Sequence, residues 1–164
     1  MSEPFMKAVV DERLRDARRL LGAALPTDPP SEDVKRSLSR RIEQVRRDPS
    51  LLHWLTRAIV RLEDRTLVGN VGFHGEPGVN AKNVGGAVEI GYGILPEFRR
   101  KGYATEAVSA FVEWAQREGI RHFIATVSPD NVPSLAILRK LGFVHTGEHW
   151  DDEDGLEHVF ELNR

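Results

Sequence analysis

Apolar residues recur along this chain with two different periods, and the change falls near Trp54. Before it the spacing is helical. Leu14, Ala17, Leu21 and Leu25 share a face of "ERLRDARRLLGAAL", with Asp11 placed as N-cap and Pro26 as the stop. Val34, Leu38, Ile42 and Val45 repeat along a second helix that Ser31 opens after the turn "TDPP". Ahead of both, Phe5 to Val10 reads as a short first strand. After Trp54, "WLTRAIVRLED" and "TLVGNVGFHGE" alternate as two strands joined by a tight turn at Glu63 to Arg65. "VNAKNVGG" is a loop, and "AVEIGYGIL" is a strand closed by Pro96. A helix runs from about Thr105 to Glu118 and stops at Gly119. The strand "RHFIATV", a short helix ending at Leu141 and Gly142, and the hairpin "FVHTGEHW"/"LEHVFEL" across "DDEDG" complete the order.

Two stretches depart from plain patterning. In "VEIGYGIL", Val88, Ile90, Tyr92 and Ile94 make a core stripe while Glu89, Gly91, Gly93 and Leu95 fall on the other face. Mid-strand glycines suit a surface that a ligand or another backbone approaches closely, with a carboxylate on the same face; a bulge with a solvated Glu89 is the alternative. The next loop, "RRKGYATEAV", runs Arg99, Arg100, Lys101 and Gly102 into a helix start. Unpaired N–H groups at the positive end of a helix attract anions, and Gly102 removes the Cβ that would hold a bulky group away. The loop is not a P-loop, because Tyr103 follows Gly102, and it lacks the glycine spacing of a dinucleotide fold. Taken alone, such a run before a helix is more often a solvated basic loop than a phosphate site.

Length and composition narrow the classes. The 164 residues suit one domain, and no stretch approaches the roughly 18 apolar residues of a membrane span. The charged N-terminus lacks the apolar run of a secretory signal, so a cytoplasmic protein is expected. With no cysteine, thiol chemistry by the protein is excluded. A net charge of −2 argues against nucleic acid as partner, and the arginines of the second helix read as a solvated surface. The last twenty residues hold seven acidic side chains and one basic one. "DDEDG" is favoured as a hairpin turn, with attraction of a cation to a nearby site as the alternative. His145 and His149, four apart in a strand, share a face at too great a separation for one ion, so no metal is expected. His74, ending a strand, is placed either on the acceptor side of a site or as an ordinary strand-end residue.

"EIGYGILPEFRRKGYATEAV" followed by "NVPSLAILRKLGF" resembles the GNAT superfamily of N-acetyltransferases, and more narrowly its RimJ/RimL-like branch. Arg99, Gly102 and Ala104 match the Arg/Gln-x-x-Gly-x-Gly/Ala pattern that the superfamily uses on the pyrophosphate of acetyl-coenzyme A. The resemblance covers about Leu52 to the C-terminus. It implies an α/β fold with a mixed, splayed sheet of about six to seven strands and about four helices, residues 1–50 forming a helical substrate-side lobe and 51–164 the acetyl-CoA-binding core and C-terminal hairpin. It further implies that Ile94, Leu95, Arg99, Arg100, Lys101, Gly102, Tyr103, Ala104, Thr105, Asn131, Ser134 and Lys140 bind acetyl-CoA, a backbone N–H of Ile94 or Leu95 serving the oxyanion. Many superfamily members carry a tyrosine seven residues after the asparagine; here that residue is Leu138, and Ser134 is the donor offered instead. The implied activity is direct transfer of acetyl to a primary amine, protein α-amine or small molecule, with Glu89 as base, directly or through water. An α-amine, with pKa near 8, needs less help than a lysine amine near 10.4. A non-catalytic acyl-CoA-binding module is the alternative, and a homodimer is compatible with the resemblance.

Overall fold

The N-terminal residues fold as a helix. In the computed structural model, which describes residues 1–164, the Phe5 N–H donates to the Ser2 hydroxyl at 3.4 Å and opens α1 (Glu3–Val10). Phe5, Met6, Ala8 and Val9 are buried, the spacing of one helix face. The short strand expected at Phe5 to Val10 is therefore corrected: phenylalanine and paired valines are β-prone individually, but the cap and the buried face decide. Asp11 is the C-cap of α1 and not the N-cap of the next helix. α2 (Leu14–Leu21) starts at Arg13 and ends at Gly22, whose φ of 67° is the left-handed conformation glycine tolerates. Leu25 consequently lies outside the helix, yet it is buried. Extended backbone at Ala24 bridges to Thr66, with the Ala24 N–H donating to the Arg65 carbonyl at 2.7 Å and the Leu67 N–H donating to the Ala24 carbonyl at 2.8 Å.

Ser31 caps α3 (Glu32–Arg47) as expected, and Leu38, Ile42 and Val45 are buried while Val34 is exposed. A 3-10 turn at Pro49–His53 leads to β1 (Arg57–Arg61) and β2 (Thr66–Phe73). The chain divides into two compact units, Met1–Asn70 and Val71–Arg164, and β2 passes from one into the other. The first unit has its own core, built from Phe5, Met6, Ala17, Leu38, Ile42 and Leu55 among others.

The second unit adds β3 (Val88–Ile94), α4 (Tyr103–Arg117), β4 (His122–Val127), α5 (Val132–Lys140), β5 (Val144–Asp151) and β6 (Gly155–Asn163). Six strands join in the order β1-β2-β3-β4-β6-β5, β3 and β4 parallel and β6 antiparallel to both neighbours. Five α-helices stand where about four were expected, the extra one being α1. On one sheet face the Phe73 ring packs at a tilt against Phe111 of α4, centroids 4.5 Å apart, with Phe123 and Trp114 beside it. On the other, Ala87, Ile124 and Val159 pack with Val84.

A bulge between His145 and Gly147 overturns one expectation. His145 pairs with Phe160 but His149 pairs with Glu157, three residues away on β6, so the two histidines point to opposite faces. His145 packs its ring on His158, centroids 4.7 Å apart.

Candidate active site

The parallel ladder between β3 and β4 is two residue pairs long, Val88 with Phe123 and Glu89 with Ile124. Beyond it a cleft of about 440 Å³ is lined by Ile90, Gly91 and Tyr92 of β3 and by Ala125, Thr126, Val127 and Ser128 at the end of β4. Unpaired backbone at the end of two parallel strands leaves N–H and C=O groups to a ligand. The cleft reaches both sheet faces, because side chains alternate along each strand.

On the helix face stand Asn131, Ser134 and Leu138. The Ser134 N–H donates to Asn131 Oδ1 at 3.2 Å, which makes Asn131 the N-cap of α5. The Tyr92 hydroxyl donates to the Ser134 carbonyl at 3.4 Å, and burial raises the phenol above its ordinary pKa. Strand alternation places Tyr92 in the core stripe with Val88 and Ile90. Those two are buried, but Tyr92 is half-buried and faces the cleft, since the sheet has already parted at its level.

On the opposite face stand His74, Thr126, Asp154 and Glu157. Glu89 lies behind them, 4% exposed. Its Oε2 accepts the Ala81 N–H at 2.6 Å, its Oε1 accepts the Thr126 hydroxyl at 2.7 Å, and His74 Nδ1 is 3.3 Å from Oε1. A solvated Glu89 is excluded. Gly91 matters for a close approach: a Cβ there would lie 2.9 Å from His74 Nε2. Burial raises the Glu157 pKa, and the nearby carboxylates of Asp154, Asp151 and Glu89 push the same way. Asp151 organises the hairpin turn, accepting the Glu153 and Asp154 N–H groups at 2.8 and 2.9 Å, while Asp154 lines the cleft.

Past β3, the chain makes a 3-10 turn at Pro96–Phe98 and reaches Gly102, the N-cap of α4, at φ 87°. No side chain caps this helix, so the first-turn N–H groups at Tyr103, Ala104 and Thr105 have no side-chain acceptor. Arg100 and Lys101 are exposed. Arg99, the first residue of the basic loop, is tied back, its Nε donating to the Ile94 carbonyl at 3.1 Å. Ile94 and Leu95 are half-buried at the strand end. Lys140 sits on the last turn of α5, about 13 Å along the axis from Asn131 at 1.5 Å per residue, and is not gathered into the cleft.

A family model described as acetyltransferase (GNAT) domain matches residues 7–144. The chain belongs to this GNAT acetyltransferase family. Among curated relatives, the uncharacterized N-acetyltransferase YjdG of Bacillus subtilis is 38% identical over 87 residues, covering 52% of this chain and 49% of that protein. The chain spans about half the length of the curated relatives it matches first. The fold is that of the ribosomal-protein-S5-alanine acetyltransferase of Vibrio fischeri, with a TM-score of 0.68, 17% identity and coverage of 99% of this chain and 90% of that one. It is also that of the microcin C7 self-immunity acetyltransferase MccE, solved with acetyl-CoA and AMP, with a TM-score of 0.61, 14% identity and coverage of 99% and 89%. No helix of this GNAT chain is long and apolar enough to cross a membrane. Tyr92, Thr126 and Glu157 are the cleft residues that sequence reasoning missed. Only Glu157 left a trace, in the acidic excess of the last twenty residues.

Proposed function

We propose that this chain transfers an acetyl group from acetyl-CoA to a primary amine. The observation that carries it is the parting of β3 from β4 after two residue pairs, which opens a slot reaching both sheet faces. A slot of that kind lets an acyl donor reach from one side and an acceptor from the other without either crossing the core. The uncapped α4 start, its Gly102 turn and the exposed Arg100 and Lys101 fit the pyrophosphate of the coenzyme. When bound, acetyl-CoA supplies an activated thioester carbonyl. Tyr103, Ala104 and Thr105 would hold its phosphates through backbone N–H groups, Asn131 and Ser134 its pantetheine arm, and Arg99 would fix the strand end it has to pass. A backbone N–H at Ile94 or Leu95 serves the oxyanion. Ser134 is the proton donor to the departing sulfur, and Glu89 belongs to the removal of the amine proton.

The acceptor is a primary amine of a protein N-terminus or of a small molecule. Acidic side chains at the cleft, Asp154 and Glu157, favour a cation there. The test is free-thiol release from acetyl-CoA against ribosomal N-terminal peptides, lysine peptides, polyamines, aminoglycosides and amino acids, with Glu89→Gln beside the wild type. Turnover with one class that falls at least tenfold in Glu89→Gln supports transfer and names the acceptor. Tight coenzyme binding without turnover on any amine overturns it in favour of a binding module.

A further inference from the structure

A base must reach the acceptor nitrogen, and Glu89 does not reach the cleft. Both its oxygens are engaged, Oε2 by the Ala81 N–H and Oε1 by the Thr126 hydroxyl, and it is not among the lining residues. The carboxylate is 4% exposed, so its remaining lone pairs are closed off from an amine standing in the cleft. His74 occupies the intervening position. Its side chain is 46% exposed, lines the cleft, and sets Nδ1 3.3 Å from Glu89 Oε1. The opposite edge of the ring lies over Gly91, where a Cβ would be 2.9 Å from Nε2 and 3.4 Å from Cδ2. The two residues are also tied through the backbone, the His74 N–H donating to the Glu89 carbonyl at 2.8 Å.

We propose that His74 is the catalytic base, its Nε2 taking the proton from the acceptor amine, and that Glu89 is the positioning residue that holds Nδ1. This rests on the acetyl-transfer function proposed above. A carboxylate only accepts, so it selects the tautomer with hydrogen on Nδ1 and turns the basic Nε2 toward Gly91 and the cleft. An imidazole titrates ordinarily near 6.5, close to neutral pH, which suits a base that must be unprotonated before each turnover. As the nitrogen–carbon bond forms and the carbon–sulfur bond breaks, the ammonium form of the acceptor loses two protons. One passes through His74 to water and the other leaves on the coenzyme thiol. Glu89 on β3 is beside the His74 ring, and Glu157 on β6 and Asp154 in the β5–β6 turn line the cleft on the same sheet face, while Tyr92 lies on the opposite face. The carboxylates among them stabilise the imidazolium that forms.

The experiment compares wild type, His74→Gln and Glu89→Gln in kcat against pH and in ¹⁵N NMR of the histidine rings. His74→Gln is expected to lower kcat about 100-fold, leave the KM for acetyl-CoA within about twofold, and remove the acid limb of the profile. Glu89→Gln is expected to move that limb to lower pH without removing it, because the amide still accepts from Nδ1 but carries no charge. In the spectra His74 should hold its hydrogen on Nδ1, and its titration should fall in Glu89→Gln. Retention of the limb with kcat within about threefold in His74→Gln overturns the assignment while acetyl transfer stands. A His74 titration indifferent to Glu89→Gln overturns the pairing whether or not any amine is acetylated.

Discussion

Glu161 offers a quantitative test of what ties β6 to its neighbours. Its carboxylate gathers three elements of the second unit: Lys82 from the loop before β3, Thr146 of β5 and His122 of β4. The Lys82 ammonium, then the Thr146 hydroxyl and His122, pull its pKa from 4.5 down to about 2. A carboxyl whose pKa falls on folding contributes stability above its unfolded pKa and loses it as pH drops through the folded one. The contribution is thus full above about pH 4.5 and fades toward pH 2. A fall from 4.5 to about 2 corresponds to at most about 3.4 kcal/mol, and solvent screening on the side of the partly exposed Lys82 reduces that to about 1–2 kcal/mol. Glu161→Gln keeps the shape and removes the charge. Urea unfolding at pH 7 should therefore place the variant about 1–2 kcal/mol below wild type, and at pH 3 the gap should be less than half as large. An equal gap at both pH values would refute the linkage, and no gap at pH 7 would refute the charge-assisted network itself.

Gly91→Ala should leave the fold intact, because the atom its Cβ meets belongs to an exposed ring that can move, but should displace His74 by about 0.6 Å and lower kcat about tenfold. Thermal melting and thiol release read the two effects separately, and undiminished kcat refutes the role of that close approach. Glu157 has its pKa raised in the fold, so its ionised form opposes folding at neutral pH; Glu157→Gln should raise Tm at pH 7, and the gain should vanish below about pH 4. A gain independent of pH would point to packing instead. Ser134→Ala should lower kcat about 10- to 100-fold, through loss of the thiolate's proton donor, and weaken coenzyme binding by no more than about threefold through loss of one contact to the pantetheine arm. Wild-type turnover in that variant, with loss in Tyr92→Phe, would move the proton donor to the phenol that reaches the same helix turn.

Much of the frame is legible in the sequence alone. Ser31 reads as a cap and is one, because capping is a local competition between a short side chain and water for the same N–H group. The β1–β2 and β5–β6 hairpins and the glycine at the start of α4 follow from turn chemistry that depends on a few neighbouring residues. Local rules fail where two signals compete, as at Phe5 to Val10, whose β-prone residues are overruled by a cap at Ser2 and by burial of one helix face. They fail again at His145 and His149, since one extra residue in a strand flips every later side chain, and Gly147, the one local mark of the shift, suits a bulge without requiring it.

The sequence by itself determined which residues bear chemistry: the basic glycine loop, the carboxylate of Glu89 on the glycine face of its strand, and the absence of any thiol. Only the tertiary structure decided which of them meet. That β3 and β4 separate after Glu89 and Ile124 is a property of two strands 35 residues apart, and no local pattern encodes it. The same separation takes Tyr92 out of the core and brings Thr126 and Glu157 to the cleft. It also leaves Glu89 enclosed and His74 in front of it. Burial and pairing are set by the far side of each contact, so a residue's chemistry can be read from its type, but its partner and its access to a ligand come only with the fold.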